Sequence, residues 1–144
     1  MKEYSYGVVP YTIYNDKIYV LVSLASKKDL KYGFFKGKIE ENETIRDCAI
    51  REFYEETGIK LKSEWLDKYF SQKHIQKDVG IFLLDIDFIK DEKIMLNKEN
   101  YNFKIIEINE LYNKIIKNQE KILKEMILYF KDLRNIKLKN RFKN

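Results

Sequence analysis

The chain has 144 residues, 44% of them apolar, with five glycines, one proline and one cysteine. That length suits one domain with a substantial core, and the apolar content argues against disorder. No apolar run reaches the eighteen or so residues needed to cross a bilayer, no small-residue cleavage site follows the N-terminus, and a lone thiol makes neither an intrachain disulfide nor a thiolate metal centre. The expected compartment is the cytoplasm, without a membrane. The formal charge of +5 resides at the C-terminus, where residues 131–144 hold six Lys and Arg against Asp132 alone.

In chain order, residues 4–14 alternate as a strand, Asn15-Asp16 supplies turn chemistry, and residues 18–24 form a second strand, so a hairpin opens the chain. Pro10 fits an edge or a bulge, because it has no amide proton to donate. Residues 25–36 read as a loop leading into a short extended piece. A helix follows over residues 44–57: Thr44 suits the N-cap with Asp47 three residues on, and Gly58 suits the left-handed residue past the last turn. Cys48, among apolar helix residues, reads as an inert buried thiol. Residues 65–71 and 79–88 are strands, joined by a loop that carries His74, the only histidine, read as solvated. Residues 103–108 make one more short strand. Beyond Asn109, Leu111, Ile115, Ile122, Met126, Phe130 and Leu133 recur at helical spacing, in two helices broken near Asn118. Mixed strands and helices predict an α/β layered domain over residues 1–135. Residues 136–144 form a basic tail, either a solvated end or a weak tether to RNA.

The predicted helix carries an electrostatic conflict. At about 100° per residue, Ile45, Cys48 and Ala49 define an inward stripe. Glu52 and Glu56 continue it, with Glu55 about 60° to one side of Glu52. Glu52 and Glu56 are a like-charged i,i+4 pair near the negative end of the helix dipole, so a positive partner is required. Arg51 supplies part of that charge. Clustered carboxylates are also the donors that hard divalent cations prefer, chiefly Mg²⁺ or Mn²⁺.

Gly37, Glu43, Arg51-Glu52, Glu55-Glu56 and Gly58-Ile59 stand at spacings that resemble the Nudix box, with Phe53 aromatic where an aliphatic residue is usual. The resemblance implies a Nudix fold, a mixed β-sheet sandwiched between helices (α/β/α). It also implies a pyrophosphohydrolase that cleaves a diphosphate linkage in a nucleoside diphosphate attached to another moiety, with Mg²⁺ or Mn²⁺ and water. By position, Glu52, Glu55 and Glu56 are the implied metal ligands, helped by the main-chain carbonyl of Lys36. Arg51 orients Glu52. Glu43 and Gly37 hold loop and helix together, Gly37 because a side chain would crowd the backbone at the turn. The carboxylate that takes a proton from water is Glu52 or the later Glu99. Lys36 and Lys38 flank Gly37 and offer ammonium groups to a phosphate chain.

Residues 32–38, YGFFKGK, resemble the Trp-x-x-Pro-Lys-Gly element of diadenosine tetraphosphate hydrolases, with Tyr32 standing for the tryptophan and Phe35 for the proline. The later LNKENYNFKIIEINEL is similar to that branch's Glu-containing loop, and implies Tyr101 and Phe103 as purine-stacking residues. A dinucleoside polyphosphate is the substrate this favours. Two alternatives remain: pyrophosphohydrolysis or decapping at RNA 5′ ends, and a non-catalytic nucleotide-binding module. The complete glutamate set argues against the last, which has no need of it.

Overall fold

The computed structural model describes residues 1–93 and 102–142, with side chains described as far as residue 135. Glu99 and Tyr101 lie outside the described residues. The opening hairpin is β1 (Glu3–Tyr14) and β2 (Lys17–Ser26), paired from Tyr11↔Val20 to Tyr14↔Lys17. Asn15 and Asp16 both take positive φ, 49° and 62°, the conformation of a two-residue turn that matches the twist of its strands.

Beyond this paired end the two strands diverge, and the chain returns to fill the fork. Strand β3 (Lys31–Gly33) pairs with the far end of β2, and β4 (Phe35–Lys38) pairs with β1 from Ser5↔Lys38 to Val8↔Phe35. Pro10 falls where β1 changes neighbour, after its pairing with β4 ends at Val8 and before its pairing with β2 begins at Tyr11. It thus sits in a central strand at a point that behaves locally as an edge.

Helix α1 (Ile45–Thr57) comes next, then β5 (Leu66–Lys73) and β6 (Lys77–Asp85). Strand β6 lies parallel to β1 from Glu3↔Lys77 to Tyr11↔Asp85, and β5 is antiparallel beyond it. The connection between β5 and β6 is only residues 74–76, shorter than expected. Strand β7 (Phe103–Glu107) closes the other side against β2. The single turn α2 (Ile108–Leu111) and the long α3 (Glu120–Phe142) follow. The helical spacing after Asn109 misleads for residues 112–116. Residues 112–114 form a turn; Tyr32 then accepts from the Ile116 amide and donates to the Lys114 carbonyl, so that Ile115 bridges to β3. Helix α3 carries residues 136–142 as a continuation of its backbone.

Alternation along the strands divides the apolar residues between two cores. Val9, Val20, Val22, Ile81 and Leu83 face α2 and α3, joined by Leu111, Ile122 and Met126. Val8, Leu21, Phe35, Phe82 and Leu84 face α1, joined by Cys48, Ala49 and Phe53. The result is a mixed sheet between helical layers. Ile45 departs from its expected inward place and is 39% exposed, because it begins α1 at the rim of that core. Phe53 is fully buried and meets Phe35 edge-on, ring centres 5.7 Å apart. An aromatic side chain therefore fills the space between α1 and β4.

Candidate active site

Local signals set α1 in place. Thr44 is extended and its hydroxyl accepts from the Asp47 amide at 3.0 Å; Gly58 ends the helix at φ 77°, its amide donating to the Tyr54 carbonyl. Together these caps present the second half of α1 to β4.

Arg51 is the hub of what results. Its Nε donates to Glu43 at 2.6 Å and its Nη2 donates both to Glu43 at 2.9 Å and to the Lys38 carbonyl at 2.9 Å. Its Nη1 donates to Glu52 at 2.9 Å and to Glu55 at 3.2 Å, and lies 3.5 Å from Glu40. The Arg51–Glu43 bond, more than any other contact, holds the Glu43 carboxyl below its ordinary pKa, and the same bond holds Arg51 protonated. Glu43 also accepts from the Glu40 amide at 2.8 Å, which ties the loop before α1 to the helix.

Glu52 points at the strand. A Cβ on Gly37 would overlap the Glu52 carboxylate, so glycine here leaves room for a side chain on the facing helix. That replaces the expected reason, backbone crowding at a turn, since Gly37 lies within β4 opposite Tyr6. Burial raises the Glu52 carboxyl above its ordinary range, with Arg51 opposing the shift. One turn on, Glu56 is 7% exposed, whereas Glu55 is 50% exposed in its side chain.

Lys36 and Lys38 separate in role. The Lys38 ammonium pairs with Glu3 at 3.0 Å on the exposed flank, and it is the carbonyl of Lys38 that reaches Arg51. The Lys36 side chain meets that of Lys77, with Glu56 and Glu3 as nearby opposite charges; burial first, and the Lys77 charge second, lower its pKa to about 8. Two ammonium groups held together mark a place suited to an anion. Lys77, one lysine among many in the sequence, has no local signal that distinguishes it. It also lines a cavity of about 380 Å³ with His74, Gln76, Ile116, Lys117 and Asn118. Phe103 begins β7 opposite Ser23, 43% exposed, and does not join the glutamate cluster.

Among the described residues, no three acidic, histidine or cysteine side chains are gathered in a ready metal cage, while Arg51 holds Glu52 and Glu55. The donors are hard oxygens on adjacent turns, and their chemistry fits a hard divalent ion.

A family profile of the NUDIX domain matches residues 4–126. The chain belongs to the Nudix family. It has the same mixed sheet and helices as its solved relatives. An Ap4A hydrolase of C. elegans, solved as a binary complex, superposes with a TM-score of 0.68 at 21% identity, over 90% of this chain and 98% of that one. A bifunctional NMN adenylyltransferase/ADP ribose pyrophosphatase from Francisella tularensis, complexed with AMP and a Mn ion, superposes at 0.64 and 16% identity, over 90% of this chain and 42% of that one. At such identities the likeness is one of fold. In sequence, the chain is 33% identical over 73 residues to the mRNA-decapping enzyme subunit 2 of Saccharomyces cerevisiae, half of this Nudix chain. It spans only 4–8% of the decapping relatives it matches. Among the described residues, no helix is long and apolar enough to cross a membrane.

Proposed function

We propose that this Nudix enzyme hydrolyses dinucleoside polyphosphates such as diadenosine tetraphosphate, with Mg²⁺ or Mn²⁺ held by Glu52, Glu55, Glu56 and the Lys36 carbonyl. The carrying observation is the pairing of that acidic edge with two adjacent ammonium groups, Lys36 and Lys77, beside Glu56. The bound ion would supply charge neutralisation at the phosphates and acidify the attacking water. Lys36 and Lys77 would bind the phosphate chain and keep it against the glutamates. Glu52, its carboxyl raised by burial and bonded to Arg51 through one oxygen, would accept the proton from water. The extended likeness to an Ap4A hydrolase supports the choice of substrate.

The second reading, decapping or pyrophosphohydrolysis at RNA 5′ ends, is favoured by the sequence match to a decapping enzyme and by the basic C-terminus. A direct comparison separates the two: purified protein with Mg²⁺ or Mn²⁺ is assayed on diadenosine tetraphosphate, capped RNA, triphosphorylated RNA and oxidised nucleoside triphosphates. Turnover of the dinucleotide is expected, abolished by chelator and reduced by roughly 10²–10³-fold in Glu56→Gln with an unchanged circular dichroism spectrum. No turnover of the dinucleotide beside clear turnover of capped RNA would reverse the ranking. Full activity in Glu56→Gln would reject its role.

A further inference from the structure

One buried carboxamide between the last helix and the catalytic strand has no part in the chemistry above. Gln119 is 0% exposed, and its Oε1 accepts from the Phe34 amide at 2.8 Å across 85 residues of sequence. Adjacent contacts show what this bond completes. Tyr32 donates to the Lys114 carbonyl at 2.6 Å and accepts from the Ile116 amide at 2.9 Å, which is one rung of a parallel ladder. The next rung would run from the Phe34 amide to the Ile116 carbonyl. That carbonyl is taken by the Gln119 amide at 3.1 Å, and the Gln119 side chain provides the acceptor instead. Gly33 leaves space for it: a Cβ there would lie 3.2 Å and 3.4 Å from the carboxamide oxygen and nitrogen.

Phe34 is the joint between β3 and β4, two residues before Lys36. Without an acceptor its buried amide is left unsatisfied, a penalty that the strand relieves by moving. We infer that Gln119 is a positioning residue: by fixing the Phe34 amide it holds residues 35–37, and with them the Lys36 carbonyl, in line with Glu52 and Glu56. This rests on the reading of those groups as divalent-ion ligands. Groups that orient metal ligands without touching the ion shift affinity by about 10–100-fold when removed.

The same helix start offers a matched control. Gln72, also buried, accepts from the Lys121 amide at 3.0 Å and ties α3 to β5 rather than to β4. Mn²⁺ binding to the full chain is measured by electron paramagnetic resonance of the free ion, with thermal melting alongside, for wild type, Gln119→Met, Gly33→Ala and Gln72→Met. Gln119→Met keeps the shape but not the acceptor, and is expected to weaken Mn²⁺ binding by about tenfold. Gly33→Ala, which shifts the carboxamide without removing it, is expected to fall between the two and serves if Gln119→Met does not fold. Gln72→Met is expected to lose comparable thermal stability yet bind Mn²⁺ within about twofold of wild type. Wild-type affinity in both Gln119→Met and Gly33→Ala, or equal weakening in Gln72→Met, would overturn the positioning role alone. Failure of the wild-type protein to bind Mn²⁺ would overturn the functional reading together with it.

Discussion

Arg51 meets carboxylates of Glu40, Glu43, Glu52 and Glu55 at 2.6–3.5 Å, and so answers much of the repulsion that four nearby acids would otherwise generate. A permanently charged guanidinium is suited to this, because its fork serves several carboxylates from one side. Gly37 is equally specific. Since a Cβ at that position overlaps the Glu52 carboxylate, Gly37→Ala is expected to displace Glu52 and lower turnover by roughly 100-fold. Steady-state kinetics and a crystal structure of the variant would check this; wild-type turnover would show that Glu52 can leave the slot without consequence.

Helix α1 is the element that delivers these side chains, and it is specified by its ends. The Thr44 hydroxyl accepts from the Asp47 amide, the helix terminates at left-handed Gly58, and Phe53 anchors its middle against Phe35. Thr44→Ala should cost about 1 kcal/mol, seen as a lower urea midpoint with an unchanged slope. An unchanged midpoint would mean that packing alone sets the helix start. This element was legible in the residues because cap chemistry is local, spread over a few positions at each end. The second predicted helix fared differently: Leu111 and Ile115 do face the core, but residues 114–116 pair with Tyr32, a partner distant in sequence that no periodicity can reveal. Lys38 makes the same point, its ammonium drawn to Glu3 on the neighbouring strand.

For the molecule as a whole, two helical layers on one mixed sheet bury Tyr11 and Tyr69 deeply enough that burial lifts both phenols to about 12. Unfolded tyrosine ionises near about 10. A pKa raised on folding contributes stability that is complete below pH about 10 and is lost as pH climbs through about 12. Urea midpoints should therefore fall steeply above pH 10. Tyr69→Phe should flatten that fall, since Tyr69 is one of the two groups and its hydroxyl occupies the slot left by Gly80. An identical alkaline slope in the variant would show that Tyr69 ionises as freely folded as unfolded.

The box residues between Gly37 and Ile59, the helix caps and the alternating strands were readable from the chain alone, because each rests on spacing between near neighbours. Arg51, within the same helix, was readable too, but the second cation and its support were not. Lys77 beside Lys36, and Gln119 behind Phe34, come together only when strands β4 and β6 and the start of α3 are packed against one another. Contacts across 41 or 85 positions leave no trace in a local pattern, and their strength depends on burial that exists only after the two cores have closed.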